Sequence, residues 1–304
     1  MQHPIRGYFG DPRINGRARG FHSGVDIAAP AGRAVFPVMS GRAYIERPMT
    51  VVVFGPREFS YWHIVPSVRS GQWVTAYRTV LGRITARWLH VHFMEWAGGV
   101  PINPLHPGGL EPYVDHTRPG IDRVSFERNG EEIDTAAVAG AVSVIVEAHD
   151  QPALSAPPPW ANLPVAPALI RWRILSGEKV VRDWETAVDF RGLLPPAWEF
   201  DRVYAPSTHE NGPNEPGRYR FYLARAWDAN QLPNGDYELD VSVSDTAANT
   251  TTMIVPFSVI DWIPVPRRRA GVQELARVLL PRASATFHLP RAEGRRDQQA
   301  RDHL

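Results

Sequence analysis

Glycine and proline punctuate this chain so densely that a long helix has no room to form. Between residues 5 and 105 they recur every few positions, and no stretch holds apolar residues at helical spacing for three turns. What lies between them is a series of short β-type runs: "VDIAAPAGRAVFPVMSGRAYI", "TVVVFG", "FSYWHIV", "QWVTAYRTVLGRI" and "WLHVHFMEW". The pattern predicts an all-β domain. Its texture changes near residue 119, after "PINPLHPGGLEPYVDHTRPG", which carries five prolines and no sustained periodicity.

Three segments follow from this: a first β domain over 1–118, a second over 119–262 and a basic tail over 263–304. In the second, "IDRVSFERNGEEI", "VSVIVEAHD", "ALIRWRIL", "RYRFYLARAWD" and "GDYELDVSVSDTAANTTTMIVPFSVI" read as strands. Tyr237, Leu239, Val241 and Val243 alternate with Glu238, Asp240 and Ser242, which predicts a half-buried antiparallel strand and an immunoglobulin-like β-sandwich. The proline-rich "LSAPPPWANLPVAP" and the stretch from about 191 to 217 are expected as long loops on that sandwich. The tail has nine arginines against four acids, with one short helix expected at 271–280 and the rest expected to be disordered.

Composition narrows the chemistry. The 33 basic and 32 acidic residues leave a formal net charge of +1, so no overall field argues for nucleic acid as a partner. There is no cysteine, which excludes disulfides, thiolate zinc sites and thiol nucleophiles; any metal must be held by His, Asp or Glu. No run of about 18 apolar residues is present, so no membrane span is expected. The start, "MQHPIRGYFGDPR", lacks the basic and apolar regions of a secretory leader.

Candidate chemistry gathers in the first domain. In "WLHVHF", His90 and His92 alternate with Leu89, Val91 and Phe93, so an extended chain sends both imidazoles to one face. Upstream, "RGFHSGVDIAAPAG" places His22 and Asp26 around Gly24, read as a turn at His22 entering a strand that presents Asp26. "FSYWHIV" puts His63 on a third short strand after two aromatics. Each pair alone is compatible with a capped turn or a wet sheet face. Together they offer what a hydrolytic zinc site needs: neutral imidazoles and a carboxylate, with a coordination position left for water. Asp228, Asp236 and Asp245 could suggest calcium, but "PNGD" around Asp236 and "SDTAAN" around Asp245 are standard turn chemistry and are read as such.

These residues resemble the lysostaphin/LytM-type zinc metallopeptidases, which cleave peptide bonds in bacterial peptidoglycan. "HSGVDIAAPAG" matches the family's H-x-x-x-D motif and its following turn, "YWH" its Y-x-H strand, "GQWV" a turn, "HVHF" its H-x-H-F strand and "INPL" an Asn-Pro turn, all in family order over about residues 6–106. The resemblance implies zinc as cofactor, with His22, Asp26 and His92 as ligands. It implies His90 as the base that activates water and His63 as a donor to the oxyanion of the tetrahedral intermediate. It also implies a peptidoglycan peptide as substrate and an extracytoplasmic location, in the envelope or secreted. Two departures stand out: "GRITARWLHVHF" replaces the family's glycine- and serine/threonine-rich loop before H-x-H, and Met94 intervenes before Glu95.

Two further functions compete with that one. One keeps the fold without catalysis, as a peptidoglycan-binding or amidase-activating protein. The other makes the sandwich the binding module, with Trp160, Trp172, Trp184 and Trp198 as candidate contact residues.

Overall fold

The computed structural model describes residues 2–260, and their architecture is all-β, with several antiparallel sheets and one helical turn at Phe200–Val203. The expected helix at 271–280 and the basic tail lie outside the described residues. No helix among the described residues is long and apolar enough to cross a membrane.

The first hundred residues build one large sheet. Its strands run in the order Ile5–Gly7, Val25–Ala28, His90–Ala97, Glu58–Trp62, Thr50–Phe54, Gly41–Arg47 and Gln72–Val74, with Val100–Ile102 paired beside His90–Ala97. β-Branched and aromatic side chains, among them Val25, Val51, Val53, Phe59, Tyr61 and Phe93, bury its inner face. A smaller sheet of Ala34–Val35, Gly82–Ile84 and Ile64–Pro66 supplies Val35, Ile64 and Ile84 to the same core.

Beyond residue 119, two four-stranded antiparallel sheets share a second core. One orders Glu131–Glu132, Gly120–Arg128, Ala141–His149 and Arg220–Asp228; the other orders Lys179–Asp189, Leu169–Ser176, Gly235–Ser244 and Thr250–Val259. Phe126, Val144 and Phe221 of the first face Trp172, Ile174 and Val241 of the second across that core. The alternation along Gly235–Ser244 is weaker than expected. Asp240 and Ser242 are buried as well as Leu239 and Val241; Arg173 lies opposite Asp240 and pairs with it at 2.8 Å, and Arg171 lies opposite Ser242.

Among the described residues no strand ladder crosses from the first half to the second, but an isolated bridge joins Ile102 to Leu193 and the halves are not independent. Phe9 belongs to the sandwich core and Val165 to the core of the first sheet. Asp11 accepts from the backbone N–H of Ala166 at 2.7 Å and from that of Tyr8 at 2.8 Å. Tyr204 donates to the Gly10 carbonyl at 2.8 Å, and the Asn103 amide donates to the Phe190 carbonyl at 2.9 Å. Residues 2–260 lie within a single compact unit.

Three expectations change locally. His63 is not in a strand: it occupies the bend between Glu58–Trp62 and Ile64–Pro66, with φ of 68°. Leu89 precedes its strand at φ 54° and is 40% exposed, so it does not share the core face of Val91 and Phe93. The strand Lys179–Asp189 went unrecognised in the sequence, since its charged, mostly exposed residues show no apolar alternation.

Candidate metal centre

Strand register places the first two donors. Asp26, on Val25–Ala28, lies directly opposite His92 on His90–Ala97, so both side chains leave the sheet on the same face at neighbour distance. A slip of one residue would send Asp26 to the core side. His90 sits two residues back, opposite Ala28, and shares that face.

His22 enters from a separate loop. Its backbone N–H donates to the Asp11 carbonyl at 2.8 Å, and its carbonyl accepts from Gly10 at 2.9 Å. Its ring Nδ1 lies 2.9 Å from the Tyr8 carbonyl, which can only accept, so Nδ1 carries the hydrogen and Nε2 is turned inward as a lone pair. The loop closes this tightly because Gly24 has no side chain: a Cβ there would lie 2.3 Å from the Phe93 carbonyl oxygen and 3.0 Å from the His92 ring. Gly7 plays the same part on the other side, where a Cβ would meet Asp26 Oδ2 at 2.9 Å.

Three donor atoms therefore converge. His22 Nε2 lies 3.1 Å from Asp26 Oδ1 and 2.8 Å from His92 Nδ1, and His92 Nδ1 lies 3.0 Å from Asp26 Oδ1. With the His22 hydrogen committed to Tyr8, at most the His92 hydrogen remains to serve three contacts between lone-pair atoms. A cation resolves that conflict. Ligands at about 2.0–2.1 Å from a tetrahedral zinc stand roughly 3.3 Å apart, so these donors need open by only a few tenths of an ångström. The residues could hold a small divalent ion.

Electrostatics agrees with ligand states. Burial, followed by the positive charge of Arg13, pushes the His22 imidazole down to about 3 and keeps it neutral. For Asp26, burial acts to raise the carboxyl, but His22 and the hydrogen bonds of His90 and His92 outweigh it and hold the group well below the ordinary range. Arg13 reaches the second carboxylate oxygen, Oδ2, at 3.1 Å.

His90 and His63 stand beside the triangle. His90 Nε2 is 3.4 Å from Asp26 Oδ1, near the centre without completing the donor set. Its Nδ1 has two neighbours with opposite demands. The Trp88 carbonyl at 2.7 Å requires an N–H there and leaves Nε2 as a base, whereas Arg6 at 2.8 Å offers a hydrogen to Nδ1. His63 packs its ring on Trp88 with centroids 4.4 Å apart and lies 4.7 Å from the His90 ring. Burial, followed by His90 and His92, lowers its imidazole to about 4, so it is neutral near pH 7 with an N–H to donate.

All five candidates line one cavity of about 830 Å³. The first half lines it with Trp62 and Trp88, and the sandwich half lines it with Pro159, Trp160, Glu210 and Pro213. Arg6 bridges the two, lying 4.1 Å above the Trp160 ring. Sequence reading singled out neither Arg6 nor Arg13. Both lie in strands outside any recognisable motif, and only the fold brings them to Asp26 and His90.

Two other histidines are engaged elsewhere. His106 pairs with Glu95 at 3.3 Å, and His149 with Asp122 at 2.8 Å. Glu95 is on the core face with Arg57, so the residue that follows Met94 does not touch the site. Met94 faces the His22 loop, where Ser23 Oγ approaches its sulfur at 3.8 Å. Of the four tryptophans considered for binding, Trp172 is core, Trp160 lines the cavity and Trp198 is 68% exposed. Compared with known proteins, the chain matches no family model and no curated sequence.

Proposed function

We propose that the chain is a zinc endopeptidase of the LytM type, acting on peptide bonds of bacterial peptidoglycan outside the cytoplasmic membrane, with an immunoglobulin-like sandwich forming part of its groove. The observation that carries this reading is the convergence of His22 Nε2, Asp26 Oδ1 and His92 Nδ1, flanked by two further histidines in one open cavity.

His22, Asp26 and His92 would hold zinc, which would supply Lewis acidity for activating water and polarising the scissile carbonyl. His90 Nε2 removes the proton as the water oxygen bonds to the carbonyl carbon. The same imidazolium returns that proton to the amide nitrogen as the C–N bond breaks, giving a carboxylic acid and a free amine. His63 donates its N–H to the carbonyl oxygen as charge develops on it, and Trp88 fixes the ring for that task. Trp160 and Trp62 both line the cavity and offer apolar surface to a peptide.

The test is release of new amino groups from purified peptidoglycan by the zinc-loaded protein, with chelated protein and His90→Ala as controls. Release abolished in both controls supports the proposal. A second reading is a catalytically silent wall-binding or amidase-activating protein, favoured by Arg6 on His90 and Arg13 on Asp26. Tight peptidoglycan binding with zinc bound and no bond cleaved would select it.

A further inference from the structure

Far from the histidines, three carboxylates meet in the interior. Asp115 lies in the connector between the strands Val100–Ile102 and Gly120–Arg128, Asp150 directly follows Ala141–His149, and Asp245 directly follows Gly235–Ser244. They are 5%, 0% and 1% exposed, and each offers an oxygen within 4.8 Å of the others. Among the described residues none of the three forms an ion pair with a basic side chain.

Their hydrogen bonds are all to neutral donors. Asp115 accepts from the Thr117 N–H at 2.8 Å and from Tyr113 Oη at 2.9 Å. Asp245 accepts from the backbone N–H and the side-chain amide of Asn249, each at 2.7 Å. Asp150 Oδ1 accepts from Gln151 N–H at 2.8 Å, whereas Asp150 Oδ2 is sealed from solvent and has no hydrogen-bond partner at all. A buried oxygen left without a partner, on the most buried of three clustered carboxylates, is a costly arrangement unless a proton or a metal cation meets it.

We propose that Asp115, Asp150 and Asp245 form a calcium site. The donors are all hard oxygens with no imidazole, and two oxygens bound to the same calcium stand up to roughly 5 Å apart, which matches the spread of this group. Magnesium, which demands a tighter octahedron and retains its waters, suits a sealed three-carboxylate pocket less well. The assignment is independent of the peptidase reading.

The site's position gives it a role. Asp150 and Val165 exchange backbone hydrogen bonds of 2.7 and 2.9 Å, closing the loop that carries Pro159 and Trp160 to the cavity wall. The Asn249 side chain, held by Asp245, also donates to the Asp115 carbonyl at 3.1 Å. A calcium ion here ties the connector, the base of that loop and a sandwich hairpin into one node.

The experiment uses the full chain, with and without prior incubation with zinc. Calcium is titrated calorimetrically and thermal unfolding is followed with calcium, with magnesium and with neither. The expected result is uptake of a single calcium with a rise in Tm, a smaller response to magnesium, and calcium affinity weakened at least about tenfold in Asp245→Asn and Asp150→Asn. His92→Ala keeps the calcium response. No calcium uptake by the unaltered chain, or uptake undiminished in both Asn variants, overturns the site. Should neither variant fold, terbium luminescence excited through tyrosine decides. Emission that calcium quenches and Tyr113→Phe weakens supports the site, and emission unaffected by Tyr113→Phe overturns it.

Discussion

His90 and His92 are two residues apart on one strand face, yet their surroundings give them separable tasks. His92 Nδ1 is 2.8–3.0 Å from both other donors; His90 Nε2 only approaches Asp26, at 3.4 Å. Removing either should therefore abolish hydrolysis for different reasons. We expect His92→Ala and Asp26→Asn to lose bound zinc, measured by metal analysis after dialysis. His90→Ala should retain a full complement of zinc while kcat falls by about 10²–10⁴-fold. Loss of zinc from His90→Ala would make it a ligand and end its assignment as the base. At this scale the spacing H-x-H and H-x-x-x-D was legible, because register and a tight turn translate spacing directly into geometry. Arg6 and Arg13 were not, since their partners lie 84 and 13 residues away, and no local pattern encodes such contacts.

At the level of elements, the centre depends on how closely the His22 loop can approach the strand His90–Ala97. Gly24 makes that approach possible, since its Cβ position is already occupied by the Phe93 carbonyl. Gly24→Ala should push the loop off the strand, costing about 2–4 kcal/mol of stability and weakening zinc binding with it. Urea unfolding and a competitive zinc titration check both halves of this; unchanged zinc affinity would show that the loop does not set the donor geometry. The strands that carry the site were readable because apolar alternation and turn residues bracket them. Lys179–Asp189 was not: it is an edge strand whose side chains are mostly in water, so its pairing to Leu169–Ser176 is backbone chemistry that leaves no hydrophobic signal. His63 shows the reverse failure. "FSYWHIV" reads as one run, but the chain bends at His63, and that bend turns its ring towards His90.

Over the whole molecule, the change of texture near residue 119 coincides with a change of sheet, but the division between the two cores does not follow it. The polypeptide before it gives Phe9 to the sandwich, and Asp11 holds the backbone of Ala166. Such cross-packing is invisible to local periodicity, which reports where an element's apolar face is and not which element covers it. Asp11 offers a pH test of that junction. Burial pushes its carboxyl up to about 7, far above its value in the unfolded chain, so its contribution is complete below about pH 4 and is lost as pH rises towards 7. The unaltered chain should lose stability relative to Asp11→Asn by about 1.4 kcal/mol per pH unit across that interval, and parallel curves would contradict this. Shared packing also bears on function. A chain ending at residue 118 keeps His22, Asp26 and His92, but it exposes Phe9 and loses the Tyr204 bond to Gly10, the strut of the His22 loop. It also loses the cavity wall formed by Trp160 and Glu210. We expect this truncation to be poorly folded and to bind zinc at least about tenfold more weakly than the intact protein, because the site is then held by a loop with one side unsupported. Circular dichroism together with zinc titration checks it. A well-folded truncation with full zinc affinity would show that the sandwich contributes a substrate wall and nothing to the centre itself.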